Sequence, residues 1–495
     1  MRLKIKLLKW SAGLPVVILD KSTAQKLGVH AKDRILIKTL SEKPLEISTI
    51  VDITEGMIKK NRIAISSELH ERYDLKNKQK VEVSFATYSK TLEYIKKKLN
   101  GKTLNQKEIN LIVSDISKNA LSEAEIALFI SAMYQQGMNF KETINLIKSM
   151  SESGNKLKLN NKLIVDKHSI GGIPGNRTTP IVVAICSSLG LIFPKNSSRA
   201  ITSAAGTADV IGAVAKVSFS IKELKKIINK TSGCLVWGGA LGLVPVDTKL
   251  IQIEKSLNID PRSQLLASIF SKKIAAGSTH ILIDIPYGNG AKVSFKEAQD
   301  LKKDFEKIAR HFKKKIRVVL TLGNKPIGKG VGPLLELSDV LEVLKNSPSA
   351  SVDLREKSIF LAGQILELSG KAKKGKGEEI ARKELISGRA FSKFKEIITE
   401  QKGNLSNIKY AKYKSNIKSY YSGKITRTKN KDISILARLA GAPTDIRAGI
   451  YLHKKTGDKI KKGDILITIY SESLSRLKRS KKFFKKARPL EISKT

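Results

Sequence analysis

Cysteine is nearly missing from this chain of 495 residues: Cys186 and Cys234 are the whole supply. Neither has a CxxC partner, which excludes a disulfide framework and a cysteine-based zinc site. Both fit buried core thiols in a reducing compartment, so a cytoplasmic protein without a metal is expected. No stretch offers the ~18 uninterrupted apolar residues of a membrane span. The opening MRLKIKLLKW alternates charged and apolar residues, unlike the continuous apolar run of a secretion signal. Aromatic residues are sparse at 5%, and no zinc finger, RNP aromatic motif or leucine zipper behind a basic region is present. Acidic residues are outnumbered, 45 against 92 basic ones, which leaves a net charge of +47. That charge admits two readings, a nucleic-acid binder held through phosphates or a solvated, self-repelling lysine surface. The lack of any recognition motif favours the second, and in either case the field gathers small anions towards a cleft.

A chain of this length exceeds a single core, and three or four domains are expected. Residues 1–86 read as a β-barrel-like module: RLKIKLLKW, PVVILD, DRILIKTL, EISTIVDI, RIAIS and VEVSF are short alternating runs, with one helical piece at STAQKLG. Over 87–155 the apolar period becomes helical, and Ser122 with Glu125 has the spacing of a capping box. The helical pattern returns at 245–275, and these two stretches together make an α-helical domain. Residues 156–244 and 276–415 alternate helices with short apolar runs (KLIVD, LVWGG, HILIDIP, IRVVLTL), as in an α/β domain whose sheet is buried on both faces. Residues 401–418 read as a polar linker. A β-rich α+β module, 416–495, follows and ends in the basic tail RLKRSKKFFKKAR. The fold class is therefore α/β multidomain, a small all-α domain plus an α/β domain, flanked by N-terminal and C-terminal β-rich modules.

The chemistry concentrates in VDKHSIGGIPGNRTTP, residues 165–180, between the strand-like NKLIV and the helix-like IVVAICSSLG. Glycine lets a backbone approach an anion closely, and a helix N-terminus adds partial positive charge. A Walker A loop is excluded because Asn176 and Arg177 follow Gly175, and GGIPG does not supply GxGxxG. A second loop, NSSRAITSAAGTAD at 196–209, sets hydroxyls and one guanidinium among small residues, a composition suited to a phosphoester. Two such loops at strand-to-helix edges point to two anions, or to one anion plus a sugar. In SLNIDPRSQLLASIFSKK, Asp260 precedes a proline and a helix, as an N-cap or as a working carboxylate. Ser268 and Lys272 share a face of that helix, and YGNGAKVSF offers Lys292 after a glycine-rich turn.

KHSIGG, SSRAITSAAGTAD and ASIFSKK, in this order and spacing, resemble the thymidine/pyrimidine-nucleoside phosphorylase superfamily over about residues 88–475. The N-terminal β module and the phrases CLVWGGALGL, RAITSAAGTAD and LAGAPTD resemble its archaeal-type AMP phosphorylase branch. Departures from the nucleoside-only members agree: Ser203 stands in place of a histidine, and Ile253 falls where a pyrimidine-gripping arginine would be. Gly212 occupies the final acidic position of the serine–arginine signature.

The resemblance implies reversible phosphorolysis of AMP, with CMP and UMP beside it, by inorganic phosphate. The products are free base and α-D-ribose 1,5-bisphosphate, and the enzyme is a pentosyltransferase of nucleotide salvage. No cofactor is implied, since phosphate is a co-substrate. The implied partners are AMP, phosphate and further copies of the chain, in a dimer or larger. No membrane is involved, and nucleic acid is bound at most non-specifically. By the same resemblance Lys167, Ser169 and Thr207 hold phosphate. Gly172, Ser198, Arg199, Ala200, Ile201, Thr202, Ser203, Thr207, Ser268 and Lys292 hold AMP. Asp260 donates a proton to the departing base, which calls for burial to raise its pKa. His168 is either a second acid or structural. The α and α/β domains are implied to face each other across a hinged cleft, with hinges at 150–160 and at the ends of 245–275. Two alternatives stay open: a pyrimidine nucleoside phosphorylase acting on thymidine or uridine, and a nucleic-acid-binding protein on a degenerate phosphorylase fold.

Overall fold

A computed structural model describes residues 1–8, 16–42, 44–86, 90–200, 203–406 and 408–494. The chain forms two compact units, residues 1–153 with 244–268, and residues 154–243 with 269–495. Among the described residues no helix is long and apolar enough to cross a membrane.

In the first unit, strands Arg2–Leu7, Val16–Asp20, Arg34–Thr39, Glu46–Thr54, Arg62–Ile65 and Lys80–Phe85 close into a six-stranded barrel. Alternation explains the closure. In Arg34–Thr39 every second residue, Ile35, Ile37 and Thr39, is buried inside, and a closed barrel leaves no strand edge unpaired. Helices Lys90–Leu99, Gln106–Ser117, Glu123–Gln136, Phe140–Glu152 and Pro245–Leu257 belong to the same unit. Three of them start with reciprocal capping boxes, Asn105 with Glu108, Ser122 with Glu125 as the spacing implied, and Asn139 with Glu142. Arg34 of the barrel pairs with Glu125 at 2.7 Å, so one cap also ties barrel to helices. Glu142 is buried and serves three partners. It receives the Lys98 ammonium at 3.0 Å and the backbone N–H groups of Leu104 and Asn139 at 2.9 Å each.

The second unit is built on parallel strands. Lys315–Leu322, His280–Tyr287 and Val165–Ser169 lie side by side in that order. An isolated bridge from Ile164 to Ile192 continues to the parallel pair Phe193–Ser197 and Gly233–Trp237. The chain thus leaves Val165–Ser169 towards one side, then returns to place His280–Tyr287 on its other side. Such a reversal of strand order opens a crevice at the carboxyl ends of the two central strands. Helices Thr178–Ser188 and Val352–Leu368 contribute to the apolar core around Ile181, Val183, Ile359 and Leu361.

Two expected boundaries move. The strand expected at KLIVD runs instead from Val165 to Ser169, so Lys167, His168 and Ser169 are strand residues rather than loop residues. Charge can enter this strand because each charged side chain finds a buried partner. The expected linker ends in a strand, Tyr413–Lys418, which joins Ile465–Ser471, Gly449–Leu452 and Gly330–Val331 in one sheet. The basic segment is a helix, Leu474–Ala487, which buries Leu477 and Ser480 and leaves most of its lysines outside.

Replacing Glu142 by Ala strands a buried ammonium and uncaps a helix. We expect a loss of about 3–5 kcal/mol, read as an earlier urea transition of the first unit. An unchanged transition would contradict the role given to this carboxylate.

Candidate active site at the reversal of strand order

Alternation along Val165–Ser169 sends Lys167 and Ser169 to one face and Asp166 and His168 to the other. Ser169 is in register with Asp284 of the neighbouring strand. Its hydroxyl donates to Asp284 Oδ2 at 2.8 Å and accepts from Asn176 Nδ2 at 3.4 Å. Thr321 donates to Asp284 Oδ1 at 2.6 Å, and Lys357 reaches Oδ2 at 3.1 Å. Lys167 is fully buried and donates to Thr178 Oγ1 at 2.7 Å and Thr179 Oγ1 at 3.3 Å, in the first turn of the following helix. Burial, with the nearby cations Lys357, Lys195 and Arg177, outweighs Asp284 and pulls the Lys167 ammonium down to about 7. Burial pushes the Asp284 carboxyl up, but Lys357, Lys167 and the two hydroxyls win and hold it below the usual range.

The opposite face carries a second charge cluster. Asp166 receives Lys273 at 2.7 Å and Lys195 at 3.3 Å, all three buried. These lysines overcome the effect of burial and keep its carboxyl below the usual range, while burial pulls Lys273 itself down to about 7. His168 lies among Lys273, Lys195, Lys272 and Lys167, and burial plus those charges hold its pKa well below 6.5. A neutral imidazole is the result, which argues for a structural His168 and against a second acid.

The second loop begins at the end of the Phe193–Ser197 strand and is locked to the first through Arg177. The Arg177 guanidinium binds Glu336 at 2.6–2.7 Å, Thr207 Oγ1 at 2.8 Å and the Ala205 carbonyl at 2.8 Å. Asp209 closes the loop on itself, accepting from the N–H groups of Ala200 at 2.6 Å and Gly206 at 2.9 Å, and pairing with Arg199 at 3.2 Å. Ser203 donates to the Ala205 carbonyl at 2.9 Å, and Ser198 is exposed. Ile201 and Thr202 lie outside the described residues. Gly172 has φ +104°, and a Cβ there would stand 3.1 Å from the Lys292 amide, so these two residues from distant loops are neighbours. Lys292 itself is exposed.

Asp260 and Ser268 belong to the first unit. Ser268 is buried within the Arg262–Ala275 helix. The burial expected for Asp260 is not found: it is exposed in the turn before Pro261, where the chain passes between two helices. Ile253, at the position of the missing base-gripping arginine, is buried in its helix.

Sequence reasoning passed over Asp284, Lys357, Arg177 and Ser197. A carboxylate inside the apolar run HILIDIP was the available signal, since a buried charge requires a partner. Lys357 and Arg177 carry no local signal, because their partners are remote in sequence. Ser197 ends its strand with a buried hydroxyl oxygen that has no partner among the described residues.

Residues 92–154 match the helical bundle domain of the glycosyl transferase family, and residues 424–491 match the pyrimidine nucleoside phosphorylase C-terminal domain. The AMP phosphorylase of Pyrococcus furiosus is 42% identical over 99% of this chain and 98% of that protein. That of Pyrococcus abyssi is 45% identical with the same coverage, and that of Methanococcus aeolicus 38% over 99% and 97%. Among solved structures, anthranilate phosphoribosyltransferase from Thermus thermophilus aligns with a TM-score of 0.53 at 16% identity. It covers 63% of this chain and 99% of that one, a likeness of fold alone.

The two depressed lysines have a stability consequence. Between about 7 and the ordinary 10.5, the unfolded chain binds more protons than the folded one, so stability rises with pH across that window. The urea midpoint of the second unit is expected to increase from pH 7 to pH 9, and Lys167→Met to lessen the rise. A flat or falling midpoint would refute the assignment.

Proposed function

The chain belongs to the AMP phosphorylase family, and on that premise we propose how its own residues carry the reaction. It exchanges the base of AMP for inorganic phosphate, a pentosyl transfer. The bond between C1′ and the base nitrogen breaks, a bond from C1′ to a phosphate oxygen forms, and a proton ends on the base. The transition state has oxocarbenium character, as in glycoside cleavage, and the attacking nucleophile is the co-substrate itself. The protein therefore works by positioning and by charge.

Inorganic phosphate occupies the face carrying Lys167, Ser169 and Thr178, with Thr207 and the Ser197 hydroxyl, unpartnered among the described residues, at its other side. One observation carries this reading above the others. Ser169 and Asp284 meet in register at the reversal of strand order, with Lys167 and Lys357 around them. An arriving dianion takes the Ser169 proton in hydrogen bonding while Thr321 and Lys357 keep Asp284 satisfied. The loop with Ser198, Arg199, Ala200 and Ser203, joined by Gly172, Ser268 and Lys292, takes the nucleotide, Arg199 gripping its 5′-phosphoryl group. Ile201 and Thr202 retain the roles that the resemblance implied.

Asp260 supplies the proton to the departing base. It is exposed in the structure, so this role requires the carboxyl to be enclosed once substrate is bound. CMP and UMP follow as further substrates, because the apolar Ile253 exerts no charged selection on the base.

Incubation with AMP and phosphate is expected to release adenine and ribose 1,5-bisphosphate, and AMP alone to release none. Adenine formed without phosphate, or thymidine outcompeting AMP, would overturn the reading. Asp260→Asn is expected to lower kcat by about 10²-fold or more while the KM for phosphate stays within about twofold. An undiminished kcat would remove Asp260 as the donor.

A further inference from the structure

Gly233–Trp237 pairs in parallel register with Phe193–Ser197, which sets Trp237 opposite Ser197 at the carboxyl edge of the sheet. The Arg199 guanidinium carbon stands 5.0 Å from the centroid of the Trp237 ring, within cation–π range. On another side Arg199 NH1 reaches Asp209 Oδ1 at 3.2 Å. Asp209 cannot swing away, since its second oxygen is held by the Ala200 and Gly206 amides. The guanidinium is thus fixed from two directions, while the Arg199 side chain keeps 51% of its surface open to solvent. The Trp237 backbone N–H donates to the Val217 carbonyl at 2.8 Å, and the chain passes close to the indole, where a Cβ on Gly239 would come within 2.6 Å of the ring.

A long cationic side chain loses rotamer freedom when it grips an anion, and a partner that already holds its plane reduces that loss. We infer that Trp237 is a positioning residue for nucleotide recognition. Its ring holds the Arg199 guanidinium in the orientation that meets the 5′-phosphoryl group, and so favours nucleotides over nucleosides. This rests on the reading above in which Arg199 grips that group.

The test is a double-mutant cycle on the full-length protein with AMP, phosphate and adenosine. Trp237→Ala is expected to raise the KM for AMP about three- to fivefold, with kcat and the KM for phosphate within about twofold. Trp237→Phe, which keeps an aromatic face and is the smaller disturbance to folding, is expected to restore most of the AMP affinity. Arg199→Ala is expected to raise the KM for AMP by about tenfold or more. The AMP advantage over adenosine is expected to shrink in both alanine variants, and adding Trp237→Ala to Arg199→Ala is expected to cost nothing further. An unchanged KM for AMP in Arg199→Ala would defeat the reading of Arg199 itself. A strong effect of Arg199→Ala combined with none from Trp237→Ala, additive effects, or equal losses in phosphate and AMP binding would overturn the inference while leaving that reading intact.

Discussion

A buried lysine sits in the middle of a sheet, and the architecture around Lys167 follows from the need to satisfy it. An isolated buried ammonium is too costly to keep, so its surroundings must supply acceptors and opposite charge. Thr178 and Thr179 supply the acceptors from the next helix, and Asp284 supplies the charge from the next strand. Asp284 in turn needs Thr321, Ser169 and Lys357. With burial pulling the Lys167 ammonium down to about 7, an anion bound beside it would favour its charged form.

A second constraint ties the segments 165–180 and 196–209 together. Gly175 has φ +68°, and a Cβ there would come within 2.1 Å of the Ile327 carbonyl. Gly206 is equally confined, with the Ser198 carbonyl 2.6 Å from where a Cβ would be. With both backbones so close to their neighbours, Arg177 spans from the first loop to Thr207 and Ala205 of the second, and to Glu336 behind them. The glycines let each segment pack closely on its own neighbours, Ile327 for the first and Ser198 with Arg199 for the second, and the Arg177 side chain cross-links the two segments.

The sequence made the elements readable and hid what connects them. Alternation in RILIKT and the 3.6-residue period from Lys90 onward each matched the elements formed there, because burial on one face leaves its period in the residue pattern. The Ser122–Glu125 cap was readable because both partners lie within four residues. The extent of the Val165–Ser169 strand was not, since a charged DKHS segment ordinarily marks a turn, and only remote partners such as Lys273 and Asp284 make it a strand. The glycine-flanked KHS and SSRAITSAAGTAD motifs led to the expectation of anion-holding segments, whereas Arg177, whose partners are remote in sequence, carried no local signal. Asp260 was legible as a residue type at the start of a helix; its exposure was not.

Proton-linked binding of inorganic phosphate tests the central claim most directly. Calorimetric titration at pH 8, in buffers of differing ionisation enthalpy, counts protons exchanged on binding. With Lys167 held at about 7 in the free protein, a bound dianion should restore its ammonium, giving net uptake that approaches one proton and disappears in Lys167→Met. Binding with no uptake, or uptake that persists in Lys167→Met, would contradict the account.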